Sequence, residues 1–454
     1  MQYDNAEMAR KIAEQVDRHG GRTFYVGGMV RDRLLGRENK DIDIEVHGIP
    51  ADELGRILSE LGEVTAMGAS FGIFGLKHYD VDIAMPRKEN ATGRGHKDFE
   101  VFTDPFLGPE KAAMRRDFTM NALMEDVLTG EVLDFFGGQE DMRRGVIRHV
   151  NDRTFAEDPL RVLRAAQFAA RFGFRVADET VALSSRMDLS ALSSERIVGE
   201  MDKAMLKAAK PSIFFNEMRA MDQLDVWFPE LKALIGVEQE PAFHPEGDVW
   251  NHTMRVVDLA AGLRGQASNP RYFMYASLVH DLGKIVTTQV IDGRIRAFGH
   301  EYEGVPIAKT FLGRLTNESG LIRYATNMMT LHMRPNMLAA QHAGRKPYMK
   351  LFDESVSPED LLLLSEADFC GRDVDSSTYT YGAILQENLA FYRDAMAKPF
   401  VQGRDLIDAG FEPGPDFGEA LELGHKLRIS LVSKEHALPQ VLAFLRRSRG
   451  IRND

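Results

Sequence analysis

The sequence predicts an α+β protein, with a small mixed sheet near the N-terminus followed by helices to the end. Three observations carry that prediction. Residues 24–45, FYVGGMVRDRLLGRENKDIDIE, read as a short apolar strand, a Gly27-Gly28 turn, a helix stopping at Gly36 and a second strand carrying Asp41 and Asp43. Residues 78–84, HYDVDIA, alternate with a period of two, as a half-buried strand does. From Phe155 onward no convincing alternation returns, and helical periodicity takes over.

At 454 residues the chain is too long for one core, so several domains are expected. Shifts in texture place a strand-bearing head at 1–150, a helical neck at 151–230, a histidine-rich helical domain at 231–395 and a helical tail at 396–454. The composition, 44% hydrophobic and 27% charged, is that of a soluble globular protein. No apolar run approaches the roughly 20 residues that span a bilayer, so no membrane partner is expected. The first segment, MQYDNAEMARKIAEQVDRHG, lacks the apolar core of a signal peptide, and the single cysteine, Cys370, excludes an internal disulfide. Both features fit a reducing cytoplasm. The net charge of −12 argues against indiscriminate polyanion binding. It leaves room for local basic faces at Arg115/Arg116, Arg143/Arg144/Arg148, Arg161/Arg164/Arg171 and the tail Arg446/Arg447/Arg449/Arg452.

Residues 1–20 read as a helix packed behind the first strand. On the strand that follows the glycine turn, residues two apart share a face, so Asp41 and Asp43 lie side by side while Ile42 and Ile44 face the core. Like charges that close repel, and a divalent cation is the usual reason to tolerate them. The glycines have no Cβ, which lets a phosphate approach the backbone N–H groups at the helix start. Residues 50–61 form an amphipathic helix through Leu54, Ile57, Leu58 and Leu61. The alternation in HYDVDIA then puts Asp80 and Asp82 on one face. A third carboxylate beside Asp41 and Asp43 completes a two-cation site for in-line phosphoryl displacement, and Asp82 is the preferred candidate. Residues 89–109 have no clean period and read as a loop. RRDFTMNA, 115–122, reads as a helix start with Asp117 in the first turn. Its paired arginines suit a triphosphate, since planar guanidiniums match phosphate oxygens bidentately. DFFGGQEDMRRGVIR, 134–148, is a turn and a basic helix that closes the head.

EDPLRVLRAAQFAARFGF, 157–174, begins with Glu157, Asp158 and Pro159, residues that suit a helix N-terminus. Asp158, Arg161 and Arg164 follow at three-residue spacing, on one side. An aspartate and an arginine presented together can read the Watson–Crick edge of a base, and the same spacing equally makes an ordinary ion pair. Further on, His252 lies in WNHTMRVVDLA, His280-Asp281 in SLVHDLGK, His300 in FGHEYEG, His332 in LHMRP and Asp368 in SEADFCGR. Neutral imidazole and carboxylate suit divalent transition metals, and an adjacent His-Asp pair gives two ligands from one turn. A water bound there becomes a nucleophile near neutral pH. The tail, from GRDLIDAGFEPGPDFGEAL onward, reads as helix, Gly/Pro turn and helix.

GGMVRDRLLG…DIDIE, RRDFTMNA, DFFGGQEDMRRGVIR, EDPLRVLRAAQFAARFGF and ERIVGEMDKAML, in that order, resemble the five signature blocks of the bacterial CCA-adding enzymes. These are tRNA nucleotidyltransferases grouped with the bacterial poly(A) polymerases. HPEGDVWNHT, HDLGK, HEYEG and SEADFCGR resemble the HD-type phosphohydrolase domain fused to some members. The resemblance implies a nucleotidyltransferase head, a helical neck, an HD domain and a tail, and a partnership with tRNA, CTP and ATP. It implies that Asp41 and Asp43 hold catalytic Mg²⁺, beside the third carboxylate, Asp82, that the strand alternation supplies. Gly28, Arg31 and Arg116 would hold the triphosphate and sugar. Asp158 and Arg161 would pair with the incoming base, with Arg164 as a further nucleotide contact. His252, His280, Asp281 and Asp368 would hold a divalent transition metal, with His300 and His332 at a second. The blocks are shared with poly(A) polymerases and with A-only or CC-only enzymes. A hydrolase whose head merely grips RNA is the rival from another class. The HD domain in such fusions is associated with phosphatase, 2′-nucleotidase and 2′,3′-cyclic phosphodiesterase activity. One departure stands out: Gln167 occupies a position where the family often has arginine.

Overall fold

Strand-forming sequence is concentrated near the N-terminus, and the sheet follows it. The computed structural model describes residues 4–39, 41–65, 72–91, 99–372 and 376–450. Contacts divide the chain into two units, Met1–Trp227 and Phe228–Asp454.

The first unit contains β1 (Arg22–Val26), β2 (Ile42–His47), β3 (Val64–Thr65), β4 (Ile73–Leu76), β5 (Val81–Ala84), β6 (Arg87–Ala91), β7 (Phe99–Thr103), β8 (Met124–Asp126) and β9 (Val132–Leu133). Seven of them make one sheet in the order β3-β4-β5-β2-β1-β8-β9. β2 and β5 run parallel and every other neighbouring pair is antiparallel, so the sheet is mixed. Alternation decides which face is covered: Ile42, Ile44 and Val46 of β2 and Val81 and Ile83 of β5 are all buried. They share a core with Met8, Ala9, Ile12 and Val16 of helix Asn5–Arg18 and with Leu54, Ile57 and Leu58 of helix Ala51–Leu61. Each such aliphatic side chain contributes about 1.5–3 kcal/mol when fully buried. The first helix starts where Asp4 accepts hydrogen bonds from the Ala6 and Glu7 backbone. Phe155, Phe168 and Phe172 join the same core, which seats helix Leu160–Phe172 on the unit that carries the sheet.

Three segments differ from the sequence reading. Residues 89–109 are not a loop throughout, because β6 and β7 pair as an antiparallel ribbon whose tip, 92–98, lies outside the described residues. A ribbon outside the main sheet needs no apolar alternation to pair, so it leaves no period to detect. RRDFTMNA does not start an α-helix: it contains a single 3-10 turn, Thr119–Asn121, and Asp117 is buried ahead of it. Strands also return after Phe155. Arg175–Val176 pairs parallel with Val146–Ile147, and Gln289–Ile291 pairs antiparallel with Arg294–Arg296.

Among the described residues, the second unit is otherwise built of helices and their connections. Helices Val249–Leu263, Pro270–Val279, His300–Leu315, Ser319–Leu331 and Pro358–Cys370 bury Trp250, Phe273, Tyr275 and Phe311 among them. Asp248 and Asn269 cap the first two, accepting from the Asn251 and Tyr272 backbone. The last helices close a separate small core of Leu406, Phe411, Ala420, Val441 and Leu445. Among the described residues, no helix is long and apolar enough to cross a membrane.

Candidate active sites

In the first unit the parallel pairing sets Asp43 of β2 directly beside Asp82 of β5, so their side chains share a sheet face. Asp41 immediately precedes β2, and both it and Asp82 are exposed while Asp43 is half-buried. Burial and the charge of Asp82 push the Asp43 carboxyl up. Arg116 opposes this, and Asp41 and Asp80 add to it. Of the two aspartates in HYDVDIA, Asp82 bears more strongly on Asp43. The acidic row continues to Glu45, whose carboxylate meets His47 Nε2 at 2.8 Å and Arg116 Nη2 at 3.3 Å. Burial would raise the Glu45 carboxyl, but His47 and Arg116 hold it below its ordinary range.

The glycine turn sits against the same group. Gly27 has φ +64° and ψ −126°, backbone that an L side chain rarely adopts. A Cβ there would stand 3.2 Å from Arg116 Nη1, and one on Gly28 would stand 3.5 Å from Arg31 Nη2. Arg31 is buried: its Nε donates to Asp32 and its Nη1 to Asn121, both at 2.8 Å. Its guanidinium also lies over Phe168 and Phe172, 5.1 and 4.9 Å from the ring centroids.

The helix Leu160–Phe172 is tied back to this region by charge. Arg164 places Nε and Nη2 2.7 and 2.6 Å from Asp117 Oδ2, and Asp117 Oδ1 accepts from Phe118 N and Asn121 Nδ2. Burial works against the Asp117 charge, yet Arg164 and Asn121 hold the carboxyl below its ordinary value. Asp158 precedes the helix. Its Oδ1 accepts from Leu160 N, and both its oxygens lie 3.1 Å from Arg196 Nη2. Arg161 donates to the carbonyls of Thr154 and Arg115, at 2.6 and 3.0 Å. Gln167 is 1% exposed, and its Nε2 is buried without a hydrogen-bond partner among the described residues.

The second unit gathers the other predicted residues into one cage. His252 lies in helix Val249–Leu263, His280-Asp281 follow Pro270–Val279, His300 opens His300–Leu315, His332 follows Ser319–Leu331, and Asp368 lies in Pro358–Cys370. All six are buried. Three of the imidazoles are oriented alike. Nδ1–H donates to a backbone carbonyl three residues earlier: Ser277 for His280, Ala297 for His300 and Met329 for His332. In His252 the same nitrogen meets Glu246 Oε1 at 2.8 Å. Nε2 of each ring therefore turns inward, the arrangement that presents a lone pair to a metal. His252 Nε2 is 3.0 Å from Asp368, and His280 and His300 Nε2 are 3.3 and 3.2 Å from Asp281.

Two ligand trios share Asp281. The donor atoms of His252, His280 and Asp281 lie within 4.8 Å of one another, and so do those of Asp281, His300 and His332. Among the described residues, Nε2 of His280 and of His300 and Oδ1 of Asp281 are buried with no well-formed hydrogen bond, while Oδ2 of Asp281 has Lys284 Nζ 2.7 Å away. Orphaned donors and acceptors at this depth are costly, and divalent cations on the inward lone pairs would relieve them, so the residues fit such ions. Burial opposes the charge of Asp281, but Lys284 and His280 hold it well below the carboxylate range. Arg372 and His252 do the same for Asp368. Burial drives His332 down to about 3, so that ring is a neutral base. Gly283 makes the packing possible: a Cβ there would stand 1.9 Å from the His300 carbonyl oxygen.

Several residues that hold these groups escaped the sequence reading. Glu45 is the next alternate position after Asp41 and Asp43 in DIDIE, so its signal was present. Lys284 is three residues after Asp281 in HDLGK, and its Nζ lies 2.7 Å from that carboxylate. Glu246 lies in HPEGDVWNHT. Arg196 was within reach, since it lies in the block ERIVGEMDKAML that carries part of the resemblance, and only its pairing with Asp158, 38 residues away, left no signal in spacing.

Each of the two units matches a known family. Residues 23–148 match the poly A polymerase head domain family, and residues 249–370 match the HD domain family. Fold and sites thus define a nucleotidyltransferase head joined to a domain of a family that generally uses divalent metals. Over 409 residues the chain is 37% identical to the multifunctional CCA protein of Nitrosococcus oceani, covering 88% of this chain and 94% of that one. To the protein of the same name from Pseudomonas fluorescens it is 34% identical over 428 residues, 92% and 100% of the two chains. This chain belongs to the multifunctional CCA protein family. Its fold is shared with the Thermotoga maritima CCA-adding enzyme complexed with tRNA, with TM-score 0.62, 20% identity and coverage of 98% and 97%. The Bacillus stearothermophilus CCA-adding enzyme in complex with CTP gives TM-score 0.65, 22% identity and coverage of 99% and 99%.

Proposed function

We propose that this protein adds C, C and A to tRNA 3′ ends from CTP and ATP without a nucleic-acid guide, and that its HD domain hydrolyses phosphate esters at RNA ends. The observation that carries the first activity is the juxtaposition of Asp43 and Asp82 across two parallel strands, with Asp41 beside them and Arg116 facing the row. Asp41, Asp43 and Asp82 would hold Mg²⁺, and Arg116 with the Gly27-Gly28 turn would receive the triphosphate. Arg31 would act from behind the turn, through Asn121 and the phenylalanine pair. Asp158 and Arg161 would read the base. Arg164 would fix their helix against Asp117, which makes it a positioning residue before it is a nucleotide contact. The HD reading rests on the two trios that share Asp281, suited to divalent transition metals. Bound cations at either site supply charge neutralisation on phosphoryl oxygens and activation of the attacking oxygen. Head 1–150, neck 151–230, HD domain 231–395 and tail 396–454 are the proposed divisions. A cytoplasmic setting suits a chain whose single cysteine is buried and free.

The test is a tRNA lacking its terminal CCA, incubated with each nucleotide alone and then with both. The expected result is two CMP from CTP alone and one AMP more when ATP is added. A long tail from ATP alone, with CTP ignored, would identify a poly(A) polymerase instead. Asp41→Ala and Asp43→Ala should abolish both incorporations and spare phosphate-ester hydrolysis, while His280→Ala and Asp281→Ala should do the reverse.

A further inference from the structure

Over the histidine–aspartate cage lies a cavity of about 350 Å³. Its floor is Asp281, His300, His332 and Asp368, and Lys284, Arg296 and Arg372 bring positive charge to its wall. Among the described residues, Nε of Arg296 and of Arg372 is buried without a hydrogen-bond partner. The same cavity is lined by Phe243 and Phe298, which are 61% and 65% exposed. Two large apolar rings left in solvent beside a metal-suited floor and the wall's arginines add nothing to the buried core, and a phosphate alone would not use them.

The two rings belong to segments that are held together. Glu240 accepts through Oε2 from Ile295 N at 3.1 Å, which anchors the hairpin Gln289–Ile291/Arg294–Arg296. The Glu240 carbonyl accepts from Phe243 N at 2.9 Å, so one residue ties down both sides. Phe298 is two residues before His300, and the Arg296 guanidinium lies 5.4 Å from the Phe298 ring centroid, stiffening it. On the other side, Gln239 accepts from Lys284 Nζ at 2.8 Å, and Lys284 meets Asp281. The aromatic rim is thus mechanically linked to the cage.

We propose that Phe243 and Phe298 stack on the base of the nucleoside whose 2′-phosphate or 2′,3′-cyclic phosphate faces the cage. This makes the site selective for nucleoside phosphates over phosphate esters that lack a base. The inference rests on the reading of the cage as a phosphohydrolase. Arg296 and Arg372 supply donors to the phosphate, and the rings supply affinity that any base can use, because every base has a π-face.

The full-length, metal-loaded protein is assayed with adenosine 2′-monophosphate, which water converts to adenosine and phosphate, and with glycerol 2-phosphate, which has no base. In Phe298→Ala and Phe243→Ala, KM for the nucleotide should rise about tenfold more than KM for glycerol 2-phosphate, the scale of one lost stacking partner. Phe298→Tyr should restore it. Equal changes for the two substrates, or none, would overturn the clamp. Equilibrium dialysis of adenosine, which carries the base and no ester to hydrolyse, against metal-loaded wild-type and Phe243→Ala/Phe298→Ala protein gives a readout independent of turnover. Weaker binding by the variant supports the clamp, and equal binding overturns it. If the wild-type protein hydrolyses neither ester, it is the phosphohydrolase reading that fails, and the dialysis result still decides the clamp.

Discussion

Replacing Arg164 by methionine removes the guanidinium that meets Asp117 Oδ2 at 2.7 and 2.6 Å while keeping much of the aliphatic stem. Asp117 is buried, so the substitution strands a carboxylate, and breaking a buried pair in this way costs about 3–5 kcal/mol. Two facts pull the estimate to the low end. The Arg164 side chain is 31% exposed, and Asp117 keeps its bonds from Phe118 N and Asn121. The lost contact over Phe168, 5.2 Å from the centroid, adds about 0.5–1 kcal/mol. A loss of about 3 kcal/mol at neutral pH is therefore expected, read by urea denaturation at several pH values. The sign of the pH dependence follows from Asp117, whose folded carboxyl lies below its unfolded value. In the wild type its contribution is complete above the unfolded value and is lost as pH falls through the folded one. In Arg164→Met, burial without the partner raises the carboxyl instead, so it protonates sooner and sheds its uncompensated charge. The gap between wild type and variant should shrink on acidification, and Asp117→Asn in the same background should recover part of the loss. A loss under about 1 kcal/mol, or a gap that does not move with pH, would refute the pair as a structural tie. A raised KM for CTP and ATP with unchanged stability would make Arg164 a nucleotide contact first.

Arg196→Ala should raise KM for CTP and ATP severalfold in a CCA-less tRNA assay while costing at most about 1 kcal/mol by denaturation, because the pair with Asp158 is 38% and 32% exposed. An unchanged KM would show that Asp158 does not need this partner. Gln167→Met replaces a buried amide whose Nε2 has no partner among the described residues with an apolar chain of similar length, so stability should hold or rise by about 1 kcal/mol. A clear loss in the melting curve would mean that the amide is paired after all. Dialysis against EDTA should lower the midpoint of thermal unfolding, and adding Co²⁺ or Ni²⁺ should restore it, as cations bound to the folded cage alone stabilise by mass action. His280→Ala should blunt that metal response, and a full response in that variant would place the stabilising ion elsewhere.

What the sequence revealed was whatever depends on neighbours along the chain. The period-two pattern around Asp41, Asp43 and Asp82 required only local alternation, and the buried faces of β2 and β5 follow it. The histidine positions were legible because HDLGK supplies two ligands at once and the other histidines sit beside apolar helical runs. Register was not legible: nothing local says that Asp43 stands opposite Asp82 rather than Asp80, since a parallel strand pair is joined only through a long crossover. The partners of Asp117 and Asp158 lie 47 and 38 residues away and left no trace in spacing. The missed hairpin at Gln289–Ile291 is a different case. Asp292-Gly293 between alternating residues is a strong two-residue turn signal, and both have positive φ, 50° and 72°. Strands of three residues are too short for periodicity to register against the helices around them.

The base-reading positions show how these distant contacts bear on the proposed activity. Asp158 and Arg161 would have to choose between nucleotides with the same two side chains, which demands that neither spend binding energy on being ordered. Arg161 is already fixed by the carbonyls of Thr154 and Arg115, and its five donors exceed those two bonds. Asp158 is fixed by Leu160 N and Arg196, and a carboxylate with about four lone-pair sites keeps acceptor capacity for a base amino group. Arg164 locks the helix that carries Arg161 to Asp117, directly after Arg116. The residue that would hold the triphosphate and the residue that anchors the base reader are thus chain neighbours. A shift that moved the reader relative to the phosphate would have to strain or break the Asp117–Arg164 pair. That coupling is the reason Arg164→Met should damage selectivity between CTP and ATP as well as stability.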